Sequence, residues 1–218
     1  MILENLLNIL AINLHKFFKN TRIMAENLRS PNTFFFGFIA KRLMLVGNQK
    51  VIEDSVERLK IKSEDKILEI GSGNGQALIQ IFKKNPLQIK VIEISPIFRN
   101  HLKKKFGNKI KIFPNDAKNL KGIINDCSID KILLINVIYF LNPLDLYLKE
   151  LKRILKKDGT IFIAGKFDAV KTFDNSVFQN NQIKDLLKSL KKFFKVSYEF
   201  VDLGDINSKY YAIYLKKN

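Results

Sequence analysis

Ile67-Leu68-Glu69-Ile70-Gly71-Ser72-Gly73-Asn74-Gly75 is an apolar run that stops at three glycines on alternate positions. A helical pattern follows over 75–84. A strand that runs into glycines and then a helix brings bare backbone close to a ligand at the carboxyl edge of a sheet. The surrounding rhythm agrees. A helix is expected at 51–60, a strand at 66–70 and a strand at 89–94. Next come a helix at 96–106, strands at 109–113 and 130–136, and a helix near 143–156 that stops at Asp158-Gly159. Thr160 to Ala164 reads as the next strand. Apolar strands alternating with helices are the pattern of a parallel sheet covered on both faces. The tail departs from it: a helix at 182–193 precedes strands near 195–202 and 210–216, which can close as an antiparallel hairpin.

Glu93 ends the second strand, 18 residues after Gly75, where a carboxylate can accept both hydroxyls of a ribose. The nucleoside cofactor is not a dinucleotide by this reading. In the G-x-G-x-x-G fingerprint the third glycine lies one position later, where this chain has Gln76. Glu69 also stands two residues before the first glycine, where dinucleotide folds place an apolar side chain. Both departures point to a cofactor carrying a methionine-like amino acid beside the loop.

Over residues 36–216 the elements resemble those of the class I S-adenosylmethionine-dependent methyltransferases, in their small-molecule branch. Ile67 to Gly75 is similar to that family's first motif, with Glu69, Gly71, Ser72, Gly73 and Gly75 at the cofactor, and Glu93 with Ile94 resembles its ribose-binding element. Asn115-Asp116-Ala117 stands where the family places an Asp against the adenine amino group, which implies cofactor contacts from Asp116 and Ala117. Asp130 to Pro143 resembles the fourth strand and the loop facing the substrate, so Asn136 is expected at the cofactor and Tyr139 in the acceptor pocket. Leu151 to Gly159 is similar to the L-x-x-x-L-K-P-G-G element, with Lys157-Asp158 in place of Pro-Gly. Gly37 to Asn48, with Met44 within it, resembles a lead-in segment that closes over cofactor and substrate, which adds Phe38 to the pocket. The resemblance implies a Rossmann-like α/β fold. Its sheet has seven mostly parallel strands with the last one antiparallel, helices on both faces and a helical lid at the N-terminus. It also implies S-adenosylmethionine as cofactor and a methyl transfer to a small-molecule acceptor. No residue reads as a catalytic base.

Asn136-Val137-Ile138-Tyr139 has the spacing of the N-x-P-[YF] loop that holds an extruded base, but lacks the proline. An RNA or DNA methyltransferase is therefore the alternative, and a non-catalytic partner keeping the fold is a third reading. The chain carries a net charge of +17, which favours polyanions. Only 6 of its 38 basic residues are arginine, however, and Ile, Lys, Asn and Phe, all with A/T-rich codons, make up 100 of the 218 residues. Cys127 stands alone and His15 and His101 are the only histidines, so neither a disulfide framework nor a metal centre is expected.

Two units follow. Residues 1–50 form an amphipathic helix and a lid or hinge segment (31–50 being the hinge), and residues 51–218 form the cofactor-binding domain. Over Met1 to Phe18 the polar residues Glu4, Asn5, Asn8, Asn13 and His15 fall on one helical face. Leu3, Leu6, Leu7, Leu10, Leu14 and Phe17 fall on the other, expected to pack on the domain or to lie on a membrane surface. The stretch is too short and polar to span a bilayer, and the cytoplasm is the expected location. Aromatic residues at Phe34, Phe35, Phe36, Phe38, Phe167, Phe173 and Phe178 suggest an apolar acceptor. Oligomeric state leaves no mark on the sequence.

Overall fold

The computed structural model describes residues 2–218, and the side chains of Ile2, Leu3, Asn5, Val46 and Ile206 lie outside the described residues. Seven strands form one sheet: β1 (Lys66–Ile70), β2 (Gln88–Ile92), β3 (Lys111–Phe113), β4 (Ile129–Ile135), β5 (Leu155–Gly165), β6 (Phe194–Asp202) and β7 (Lys209–Lys217). Their order is β3-β2-β1-β4-β5-β7-β6. The first five pair in parallel, whereas β7 runs antiparallel to both β5 and β6. The tail thus closes as the expected hairpin, inserted so that the last strand in sequence lies between two earlier ones. Chain direction across the sheet reverses between β1 and β4, which leaves a crevice at their carboxyl ends.

Two cores cover the sheet, because strands buried on both faces offer apolar side chains alternately to each. On one face, Ile67, Val91, Leu133 and Phe162 meet α4 (Gln49–Arg58), α5 (Gln76–Phe82) and α6 (Pro96–Phe106). On the other, Leu68, Ile132, Leu134 and Ile161 meet α7 (Leu144–Ile154) and α9 (Ile183–Lys191). Helix α8 (Phe167–Val170) joins that second core. Helices α1 (Ile2–Phe18), α2 (Arg22–Arg29) and α3 (Phe34–Gly47) share a small cluster of their own around Ala11, Met24, Ile39 and Ala40.

Three expectations change. Residues 34–47 of the proposed hinge are helical, because a proline-free apolar run packs there against α1 and α2, and that packing outweighs its indifferent helix propensity. Helix α7 ends at Ile154, not at Asp158-Gly159. The amides of Cys127 and Ser128 donate to the carbonyls of Arg153 and Ile154, and Leu155 already pairs with Ile129. The ladder then resumes at Lys131 opposite Thr160, so residues 156–159 form a bulge inside β5. Finally, the face drawn for α1 is rotated. Leu7, Ala11, Leu14 and Phe18 turn inward, while Leu6, Leu10 and Phe17 are exposed. Apolar residues occupy both sides of this helix, so the polar positions alone could not fix which side packs.

Candidate functional site

The crevice at the carboxyl ends of β1 and β4 holds a cleft of about 1000 Å³, part of it open to solvent. Its floor is the turn between β1 and α5. Gly71, Gly73 and Gly75 all have positive φ, at 71°, 53° and 75°. At Gly71 the need for glycine is also steric, since an added Cβ would lie 2.5 Å from Cγ2 of Val137. The Gly71 amide donates to the carbonyl of Ile92 at 2.8 Å, tying the turn to β2.

Glu93 continues that tie. Its carboxylate accepts from the amide of Gly73 at 2.9 Å and from the amide of Ser95 at 2.8 Å. Each oxygen keeps a lone pair for another donor. Burial raises the Glu93 carboxyl above its ordinary range, with those two amides opposing the rise. Glu69, only 3% exposed, is pushed up to about 7 by burial, and the Glu93 charge adds to the rise. The Ser72 hydroxyl is near enough to temper the shift but does not meet hydrogen-bonding geometry. Oε2 of Glu69, Oγ of Ser72 and Nδ2 of Asn74 are all buried without a hydrogen-bond partner, and all three residues line the cleft. Buried polar atoms are almost always paired, so three orphans at one cleft mark a place for a polar ligand.

Asp116 and Ala117 form part of the opposite wall. The Asp116 carboxylate accepts from the Tyr147 hydroxyl at 2.9 Å, and Lys118 Nζ stands 3.6 Å away. Asn136 ends β4 with a φ of 56°. Its Nδ2 donates to Oδ1 of Asn48 at 3.1 Å, and its Oδ1 accepts from the Tyr139 hydroxyl at 3.3 Å. Lys166 follows β5, and its Nζ donates to the carbonyl of Gly47 at 2.5 Å; burial brings its ammonium down to about 8.

Of the residues singled out from sequence, Glu69, Gly71, Ser72, Gly73, Glu93, Ile94, Asp116, Ala117 and Asn136 line this one cleft. Gly75 does not; it caps α5 against Leu102 and Phe106, where a Cβ would come within 2.7 Å of either side chain. Tyr139 is buried at 1% exposure among Phe140, Phe167 and Phe178 and reaches the cleft only through its bond to Asn136. Phe38 packs in the α1–α3 cluster with the Arg42 guanidinium 5.5 Å from its ring centre. Phe167, Phe173 and Phe178 are core residues and not an acceptor wall, because the loop after β5 folds back over Tyr139. His15 meets Phe173 edge-on at 5.7 Å, away from the cleft lining. The unforeseen lining includes Arg29, Met44, Asn48 and Tyr147. Met44 and Asn48 lay within the lead-in segment; Arg29 and Tyr147 depend on how the helices fold over the sheet edge.

Residues 68–163 match the family described as "Methyltransferase domain". Over 151 residues the chain is 26% identical to YrhH of Bacillus subtilis (strain 168), whose name assigns it provisionally to the methyltransferases. That match covers 65% of this chain and 78% of YrhH. Among solved structures, a SAM-dependent methyltransferase from Archaeoglobus fulgidus superposes with a TM-score of 0.63 at 18% identity, covering 85% of this chain and all 100% of that one. The [4+2]-cyclase SpnF gives a TM-score of 0.62 at 14% identity, over 78% of this chain and 81% of its own. These superpositions establish the fold, while the chemistry must be argued from the matched domain and the site.

Proposed function

We propose that this chain, an S-adenosylmethionine-dependent methyltransferase with the class I fold, methylates a small molecule with an apolar body. The observation that carries the reading is the cleft itself: orphaned polar atoms on its glycine loop, and apolar Met44, Ile52, Phe140 and Leu141 on its remaining walls. The cofactor's sulfonium supplies an activated methyl group, so the hard chemistry is its own. Glu93 would hold the ribose hydroxyls, Asp116 the adenine amino group, and Glu69 with Ser72 the amino acid end. In this reading residues 1–50 cover the cleft and residues 51–218 build it.

The chain's own residues bind, orient and exclude water, which can supply most of a methyl transfer's acceleration. The Tyr139 phenol is raised far above its ordinary value by burial, and its proton is donated to Asn136. It is no base near neutral pH. The carboxylates of the lining, Glu69, Glu93 and Asp116, are engaged by the cofactor in this reading, so the acceptor atom is expected to arrive as a free nucleophile. The same two side chains argue for a small molecule over an extruded base. The Asn136 amide is already bonded at both ends, and the Tyr139 ring has no free face for stacking.

Incubating the protein with methyl-labelled cofactor and cell extract tests this. Label should partition into the small-molecule fraction extractable by organic solvent. Label found instead in nuclease-sensitive polymer would replace the small-molecule reading with a nucleic-acid one.

A further inference from the structure

Helix α1 is apolar on two adjoining flanks, and only one of them is used inside the chain. Leu7, Ala11, Leu14 and Phe18 face α3 and its neighbours. On the flank beside it, Leu6 (58% exposed), Ile9, Leu10 and Phe17 (81%) form an outer stripe, at three-, four- and seven-residue spacings that put them on one face. At the end of α1 the stripe meets the start of α3, where the Phe18 ring lies 5.3 Å from Phe36 and 6.4 Å from Phe35. There Phe34 is 99% exposed and Phe35 is also exposed. Clustered exposed aromatics beside an apolar stripe mark a surface that meets something.

Charge identifies what. Exposed Lys16, Lys19 and Arg22 flank the aromatic end, with Asp174 as the acid near Arg22. Residues 1–45 hold six Lys or Arg against two acids, within a chain of net charge +17. Two copies joined through this face would bring like-charged surfaces together, which opposes self-association. An apolar stripe beside lysine and arginine is instead the arrangement of a helix lying in the interface of an anionic bilayer.

We propose that the outer face of α1, with the start of α3, docks on an anionic phospholipid membrane surface. Phe17, Phe34 and Phe35 enter the acyl boundary, and Lys16, Lys19 and Arg22 meet the headgroups. No described helix is long and apolar enough to cross a membrane, so this is attachment to one leaflet.

The chain contains no tryptophan, so Phe34→Trp gives the full-length protein a single reporter at the contact. Its emission should shift to the blue with vesicles of phosphatidylcholine and phosphatidylglycerol, and hardly at all with phosphatidylcholine alone. High salt should reverse the shift. In co-sedimentation, Phe17→Ser combined with Phe34→Ser should weaken vesicle binding by about tenfold or more. Both positions are exposed and outside the cleft, so cofactor binding should be unchanged and serves as the folding control. Equal binding to neutral vesicles, no binding to either kind, or retention by the double variant would overturn the proposal. So would a blue shift that follows protein concentration without lipid, which would assign the face to a second copy.

Discussion

Glu69 shows how one buried side chain can set opposing pH dependences for stability and binding. Its carboxyl is raised from 4.5 to about 7 because the folded chain desolvates it. Between those values the folded state holds a proton that the unfolded state has lost. The stability it contributes is therefore present at low pH and falls as pH rises through 7, by on the order of 3 kcal/mol. Glu93 is raised too and adds in the same direction. A ligand ammonium at Glu69 reverses the preference, since it pairs with the ionised form. Cofactor affinity should thus increase between pH 6 and pH 8, with a proton released on binding, while the ligand-free protein loses stability over the same range. Calorimetry in buffers of different ionisation enthalpy, with melts alongside, checks both signs, and Glu69→Gln should flatten both. A cofactor affinity indifferent to pH would remove Glu69 from the amino acid end.

At the scale of elements, the junction of α3 and α4 is fastened to the sheet edge by polar bonds from three elements. Lys166 donates to Gly47, Asn136 donates to Asn48, and Gln76 donates to the carbonyl of Leu45 at 3.0 Å. Leu45 is exposed and none of residues 45, 47 and 48 belongs to a hydrophobic core, so the junction should open without the sheet. Replacing Lys166 by Met and Asn48 by Ala removes a charge-assisted bond and a neutral one, together about 2–4 kcal/mol. Hydrogen exchange in peptides from 34–48 should quicken by roughly 30- to 1000-fold, while β4 and β5 keep their protection. Uniform quickening across the sheet would make the junction part of the global core. The helix was not legible here, its segment reading as a hinge, and neither was its attachment, because Gly47 and Lys166 are 119 positions apart.

For the whole molecule, ligand binding and folding are one equilibrium. The glycine turn, Glu93, Asp116 and Asn136 come from different strands, and the folded chain alone brings them into one cleft. Cofactor at a hundred times its dissociation constant should stabilise the fold by about 2.7 kcal/mol. For a chain of this size that is a rise in Tm of roughly 5–10 °C. Melts over a series of S-adenosylmethionine concentrations should follow the logarithm of ligand concentration. An unchanged Tm at saturating ligand would mean that the unfolded chain binds equally well, which no assembled cleft allows.

Local pattern determined the sheet, its helices, the closing hairpin and most of the cleft's polar residues. Strand, glycine turn and helix lie within a dozen residues of one another, and the carboxyl ends of parallel strands necessarily share one edge. Tertiary structure alone decided the rest. Tyr139, Phe167 and Phe178 are all aromatic and near the edge in sequence, yet they stack on one another as core; aromatic composition cannot distinguish a pocket wall from packing. Helix α1 had two apolar faces to offer, and the choice between them came from α3. Asn48 and Arg29 joined the cleft through helices whose position over the sheet is set by contacts remote in sequence, a relation that periodicity does not encode.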